Sequence, residues 1–268
     1  MLPTYFISHG GGPWPAMKRA MPGVYDRLEA SLLEMAREVG RPKAIVMVTG
    51  HWEEDAFTVG SGAAPGMIYD YSGFPEHTYS IQYPAAGSPE VARKVKELLK
   101  ASGLAAREDE TRGFDHGTFV PLMVAYPDAD VPVVQLSIRR DYAVAAHLTA
   151  GRAIAPLRGE DVLIIGSGLS YHNLRQFGPA ARVPSHEFDG WLSEAVCGSA
   201  GDERAEKLMK WEQAPSARKA HPREDHLLPL MVAAGAAWHD AAARVYHQDE
   251  FFGGIAASSF RFGDTRRA

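Results

Sequence analysis

Four short segments of this chain run almost continuously apolar instead of alternating: Thr4–Ser8, Ala44–Thr49, Val131–Ile138 and Asp161–Gly166. An alternating strand can leave one face in water, whereas a continuous apolar run must be covered on both faces, as in a parallel sheet. Helical spacing fills the intervals. Val24, Leu28, Leu32, Met35, Ala36 and Val39 recur on one face before Gly40 and Pro42 stop the pattern. Val91, Val95, Leu98 and Leu99 follow Ser88-Pro89, an N-cap with proline at the first helical position. A third helix runs through Leu148, Ile154 and Leu157. This alternation predicts an α/β fold with a mostly parallel central sheet and helices on both faces. With 46% hydrophobic residues in 268 and no linker-like stretch, residues 1–268 read as one domain.

The remaining segments fit around that frame. Phe57-Thr58-Val59 reads as a strand, and the Gly-, Pro- and Tyr-rich stretch from Glu53 to Pro89 as a loop able to wall a pocket. Helices are expected around Phe188–Val196 and Glu203–Trp211, and another from near Arg223 with Pro229 in its first turns. Ala243–His247 and Ile255–Phe260 are expected as antiparallel edge strands.

Charge and cysteine usage narrow the function classes. A formal net charge of -5 with dispersed Lys and Arg offers no basic stripe, which argues against nucleic acid and for a small organic substrate. The single cysteine, Cys197, lies in a predicted helix and reads as a structural thiol. It has no partner for an intramolecular disulfide, and the sequence shows neither a signal-peptide pattern nor an apolar run that would span a bilayer. A reducing cytoplasm is the expected location, and it suits a ferrous ion.

Histidines carry the functional signal. His9 follows Thr4–Ser8 and precedes Gly10-Gly11-Gly12, and His51 follows Ala44–Thr49 and Gly50. His116 sits in Phe114-Asp115-His116-Gly117, and His172 follows Gly166-Ser167-Gly168-Leu169-Ser170-Tyr171. Strand ends of a parallel sheet open into the crevice where ligands bind, so repeated histidines there point to one convergent site. His9 and His51 are read as metal ligands. Ala220-His221-Pro222-Arg223-Glu224-Asp225-His226 supplies the third, His226 at a helix start, with Glu224 and Asp225 as carboxylate alternatives of a two-histidine facial triad. His116 and His172 remain as acid–base candidates. His77, His147, His186, His239 and His247 lack a comparable setting, and Trp14, Trp52, Tyr71 and Phe74 are candidates for stacking on an aromatic substrate. No G-x-S-x-G elbow, Walker A or H-E-x-x-H motif occurs.

Five motifs together resemble the class III (LigB-type) extradiol ring-cleavage dioxygenases, in their DOPA-dioxygenase-like branch. They are Ser8-His9-Gly10-Gly11-Gly12-Pro13, Thr49-Gly50-His51-Trp52, Asp115-His116-Gly117-Thr118-Phe119-Val120-Pro121-Leu122, Gly166 to Asn173, and His221-Pro222 to Leu230. The resemblance implies that His9 and His51 bind metal, that His172 is the acid–base histidine and that His116 assists oxygen or substrate. It implies a catechol-type aromatic diol and dioxygen as substrates and non-haem Fe(II) as cofactor. His226 stands where better-known members have a glutamate, and a site of three or four histidines, His172 being the fourth, also suits Zn(II). A zinc-dependent hydrolase and a non-catalytic Memo-type binding protein share this fold and are the alternatives. An exposed apolar edge would support a homodimer.

Overall fold

The computed structural model describes residues 1–265. In chain order the strands are β1 (Thr4–Ser8), β2 (Ala44–Glu54), β3 (Phe57–Gly60), β4 (Ala106–Asp109), β5 (Val133–Arg139), β6 (Val162–Gly168), β7 (Ala242–Phe251) and β8 (Ile255–Phe262). The helices are α1 (Trp14–Met17), α2 (Asp26–Val39), α3 (Pro89–Ala101), α4 (His116–Ala125), α5 (Val144–Ile154), α6 (Arg182–Cys197), α7 (Gly201–Met209), α8 (Ala217–Ala220) and α9 (Leu228–Ala236). All eight strands join one sheet in the order β4-β3-β5-β2-β6-β1-β8-β7. Its centre, β5-β2-β6-β1, is parallel, while β3 and β8 run antiparallel to their inner neighbours.

Side chains that alternate along the central strands show what covers each face. On β1 the Thr4 hydroxyl donates to the Ala233 carbonyl of α9, while the next residue, Tyr5, donates to Glu38 of α2. On β6, Gly166 lies against the backbone of Pro229 in α9, and Ser167 donates to the Gly117 carbonyl of α4. Helices therefore pack on both faces, and Val46, Val48, Val134, Leu136, Ile164 and Ile165 are fully buried between them. Local signals set the helix ends: the Ser88 hydroxyl accepts from the Val91 amide to open α3, and Gly40 at φ 72° closes α2.

Several boundaries differ from the sequence reading. β2 continues to Glu54 past a register shift between Val48 and Glu53, so His51 lies within the strand and not beyond it. Across this shift Glu53 and Glu54 still pair with Ile138 and Arg139, which is why polar residues extend an apolar strand. The last helix starts at Leu228, because the Glu224 carbonyl accepts from the Leu227 and Leu228 amides and closes a separate turn. His226 sits in that turn. Of the two C-terminal strands, β8 is interior, paired with β1, and β7 is an edge. β4 went unread because Arg107-Glu108-Asp109 is short and polar. Cys197 is exposed at the end of α6, so it is not a core thiol.

Two buried histidines outside the cleft affect stability. His147 donates from Nδ1 to the Ala143 carbonyl at 2.8 Å, and its Nε2 accepts from the Arg139 amide at 3.1 Å. Its ring is thereby fixed neutral, and burial pushes its pKa down to about 4. His221 uses Nε2 to donate to the Ser170 carbonyl, leaving Nδ1 buried without a partner, and burial pushes it down to about 3. The unfolded chain takes up these protons near pH 6.5 and the folded one does not. Stability contributed by the neutral rings is therefore present at pH 7 and is lost as pH falls from 6.5 toward the folded values. The expected loss between pH 7 and pH 5 is about 2 kcal/mol per histidine. Urea unfolding of metal-free His147→Gln should show a loss smaller by about that amount; an unchanged pH dependence would count against a neutral buried His147.

Candidate active site

The adjacent strands β2, β6 and β1 end on the same edge of the sheet, where they deliver His51, the loop carrying His172, and His9. His116 opens α4 behind its N-cap Asp115, whose carboxylate accepts from Thr118, Thr49 and Gln135 and so ties the helix start to β2 and β5. The turn carrying Asp225 and His226 is laid directly across the strand ends. The Leu169 amide donates to the His226 carbonyl, and a Cβ on Gly50 would stand 2.8 Å from the Asp225 carbonyl oxygen. Gly168 makes the same close approach to the His226 carbonyl. Only glycine lets the backbones meet there.

Three imidazoles converge at this edge. His51 Nε2 lies 3.4 Å from His9 Nε2 and 3.0 Å from His226 Nε2. Two nitrogens about 2.1 Å from one ion, at angles between octahedral and tetrahedral, stand roughly 3.0–3.4 Å apart, so the group fits a divalent metal. The opposite ring nitrogens are turned away toward acceptors. His9 Nδ1 donates to the Gly10 carbonyl at 2.8 Å, His51 Nδ1 is 3.2 Å from Asp70 Oδ2, and His226 Nδ1 is 3.2 Å from Asp225 Oδ2. A proton on each Nδ1, beside these oxygens, would leave each Nε2 with a lone pair for a metal. Burial first, then the crowding of neighbouring imidazoles, holds His9 and His51 well below the usual histidine range, and His226 is pushed down to about 4. All three rings are neutral near pH 7.

The other two predicted histidines border this triad. His116 Nδ1 and its own amide both donate to Asp70 Oδ1, at 2.8 and 3.0 Å. The His172 ring stacks on His226 with centroids 3.4 Å apart, and its Nδ1 is 3.6 Å from Asp225 Oδ1. Glu224 faces away and pairs with Arg218 at 2.6 Å. The Asp225 carboxylate lies 3.2 Å from His226 Nδ1 and 3.6 Å from His172 Nδ1.

Two carboxylates therefore stand among four histidines: Asp70 beside His51 and His116, and Asp225 beside His226 and His172. Burial opposes the charge on both. Contacts with the imidazoles nevertheless keep Asp70 below the usual carboxylate range and Asp225 far below it. Asp70 carries no signal in the sequence, since it lies in the irregular Tyr-rich stretch, 46 residues from His116. Asp70→Asn, which cannot accept at both oxygens, is expected to weaken metal affinity or activity about 10- to 100-fold. Metal retained against graded chelator is the readout, and retention equal to the unsubstituted chain would remove Asp70 from this role.

Above the histidines lies a cavity of about 570 Å³. Tyr71 and Phe74 line it, whereas Trp14 is buried against Tyr25 and Trp52 is covered by Arg112, so these two tryptophans are packing residues. Tyr25, Phe177, Phe251 and Phe252 complete the aromatic wall, none of them legible in the sequence because they arrive from distant segments.

A buried imidazole cluster able to hold a metal, placed at the carboxyl ends of parallel strands under an aromatic cavity, is the equipment of an enzyme acting on a small ring compound. The family described as the catalytic LigB subunit of aromatic ring-opening dioxygenase matches residues 3–263. The chain is 38% identical to a 4,5-DOPA dioxygenase extradiol of Beta vulgaris, over 98% of this chain and 97% of that one. It is 35% identical to the dioxygenase tasH of Hapsidospora irregularis, over 94% and 83% respectively. The crystal structure of an uncharacterized protein from Escherichia coli K12 matches with a TM-score of 0.79 at 28% identity, covering 98% of this chain and 100% of that one. The chain belongs to the LigB family and is an extradiol aromatic ring-opening dioxygenase. Among the described residues no helix is long and apolar enough to cross a membrane.

Proposed function

We propose that this protein cleaves a catechol ring beside its diol, using Fe(II) held by His9, His51 and His226. The observation that carries the reading is the meeting of three neutral imidazoles, with the Nε2 of His51 3.4 Å from that of His9 and 3.0 Å from that of His226, while each Nδ1 lies beside a carbonyl or carboxylate oxygen. Bound there, Fe(II) would supply coordination positions for the diol and dioxygen and a path for electrons from ring to oxygen, which redox-inert zinc cannot.

The chain's own groups handle protons and position. His172 stands beside the triad with its Nδ1 3.6 Å from Asp225 Oδ1. It takes the proton from the diol and returns it when the ring opens. His116 is held by Asp70 with Nδ1 as donor and faces His9 and His51 at ring distances of 5.3 and 4.0 Å. In that position it assists the oxygen. Tyr71 and Phe74 exclude water and orient the ring. Both atoms of dioxygen end in the product, so no external reductant enters. A reducing cytoplasm suits a ferrous centre and the exposed Cys197 thiol.

The test is oxygen uptake by protein stripped of metal and reloaded anaerobically with Fe(II) or Zn(II), across a panel of catechols. Stoichiometric uptake with iron and a yellow ring-opened product is expected. Turnover with zinc alone, without oxygen consumption, would overturn the reading in favour of hydrolysis, and binding without turnover under either metal would favour a binding protein.

A further inference from the structure

The cavity is built for more than a bare catechol. An apolar cavity of about 150 Å³ accommodates one benzene ring, and this one, at about 570 Å³, is several times larger. It runs from buried histidines, His9 and His226 at 2% exposure, to an apolar rim where Leu174 and Phe177 are 69% and 41% exposed. Between them stand Phe74, Phe251, Phe252 and Met21. Among the described residues no lysine or arginine lines the cavity. Its carboxylates, Asp70 and Asp225, are engaged by imidazoles. The cations near the rim in sequence, Arg19 and Arg175, are exposed, and Arg182 and Lys18 are paired with Glu250 and Glu29.

A second observation comes from the backbone. Phe252 lies in the turn joining β7 to β8 at φ 48°, followed by Gly253 at φ 79°, and the Gly254 amide donates to the Phe251 carbonyl. Asn, Asp or Gly normally takes such a position, because a bulky side chain at positive φ is strained. Here the strained residue is a phenylalanine whose ring lies in the cavity wall, 4.5 Å from Phe251 and 5.5 Å from Phe177. Strain kept at a ligand-facing residue points to use of that ring.

We infer that the preferred substrates are catechols bearing an uncharged apolar substituent, which fills the space between the histidines and the Leu174–Phe177 rim, with Phe252 as a specificity-determining contact. The inference rests on the catechol reading above. A substituent ending in a carboxylate would lie against these apolar side chains without a cation in the lining to pair with it.

The experiment compares matched substrates on the iron-loaded protein: butylcatechol against dihydroxyphenylpropanoate, which differ chiefly in an alkyl end versus a carboxylate, with DOPA as a zwitterionic reference. The neutral member is expected to have a kcat/KM about 100-fold higher. In Phe252→Asn, which suits the turn, the butylcatechol-to-catechol ratio of kcat/KM should fall about tenfold through KM, with thermal stability unchanged or raised. A merely structural Phe252 would lower stability and leave that ratio fixed, which overturns its role. Equal or faster turnover of the carboxylated partner overturns the inference and leaves ring cleavage standing. If neither is turned over, anaerobic binding decides: tighter butylcatechol binding keeps the cavity assignment while the catalytic reading fails, and equal binding removes both.

Discussion

His226→Ala is expected to leave the protein unable to retain stoichiometric metal and to lower oxygen uptake by at least ~10³-fold, several kcal/mol of metal-derived stabilisation. Its Nε2 is 3.0 Å from that of His51, and without it only two neutral imidazoles of the triad remain. The substitution also leaves Asp225 buried with one imidazole fewer to compensate its charge. Metal analysis after gel filtration, together with oxygen uptake, checks this. A variant that kept one metal per chain and the original rate would remove His226 from the ligand set. Metal-free protein should also unfold at lower temperature than the loaded form, because a ligand at a thousand times its Kd adds about 4 kcal/mol to the folded state.

The second large effect separates chemistry from metal binding. His172→Ala is expected to lower kcat about 10²- to 10⁴-fold while metal content stays at that of the unsubstituted protein. His172 stacks on His226 and reaches Asp225, but it is not a member of the group formed by His9, His51 and His226. Single-turnover measurements on the anaerobically loaded protein, started with oxygenated buffer, isolate the step. Metal lost in parallel with activity would make His172 a fourth ligand and return proton transfer to another group. Asp225→Asn should fall between the two variants, since Asp225 orients both rings.

These expectations rest partly on features readable along the chain and partly on features that are not. Continuous apolar runs such as Ala44–Thr49 marked the central strands because burial on both faces leaves no room for alternation. Ser88-Pro89 and Gly40 marked helix ends because their backbone geometry is local. The histidines stood out because each follows a strand or opens a helix beside glycine. The apolar run ends at Thr49 and so puts His51 beyond the strand, whereas β2 continues to Glu54, since the irregularity that extends it depends on pairing with β5 and not on β2's own residues.

The sequence by itself determined the layered α/β plan and the set of histidines near the strand ends, because both follow from short-range patterns of burial and backbone freedom. Tertiary structure alone decided that Asp70 and Asp225 stand beside these histidines and that four phenylalanines from three separate segments wall the cavity. Those relations join residues such as His51 and His226, 175 positions apart. They depend on the order in which strands pair, and no local pattern carries that order.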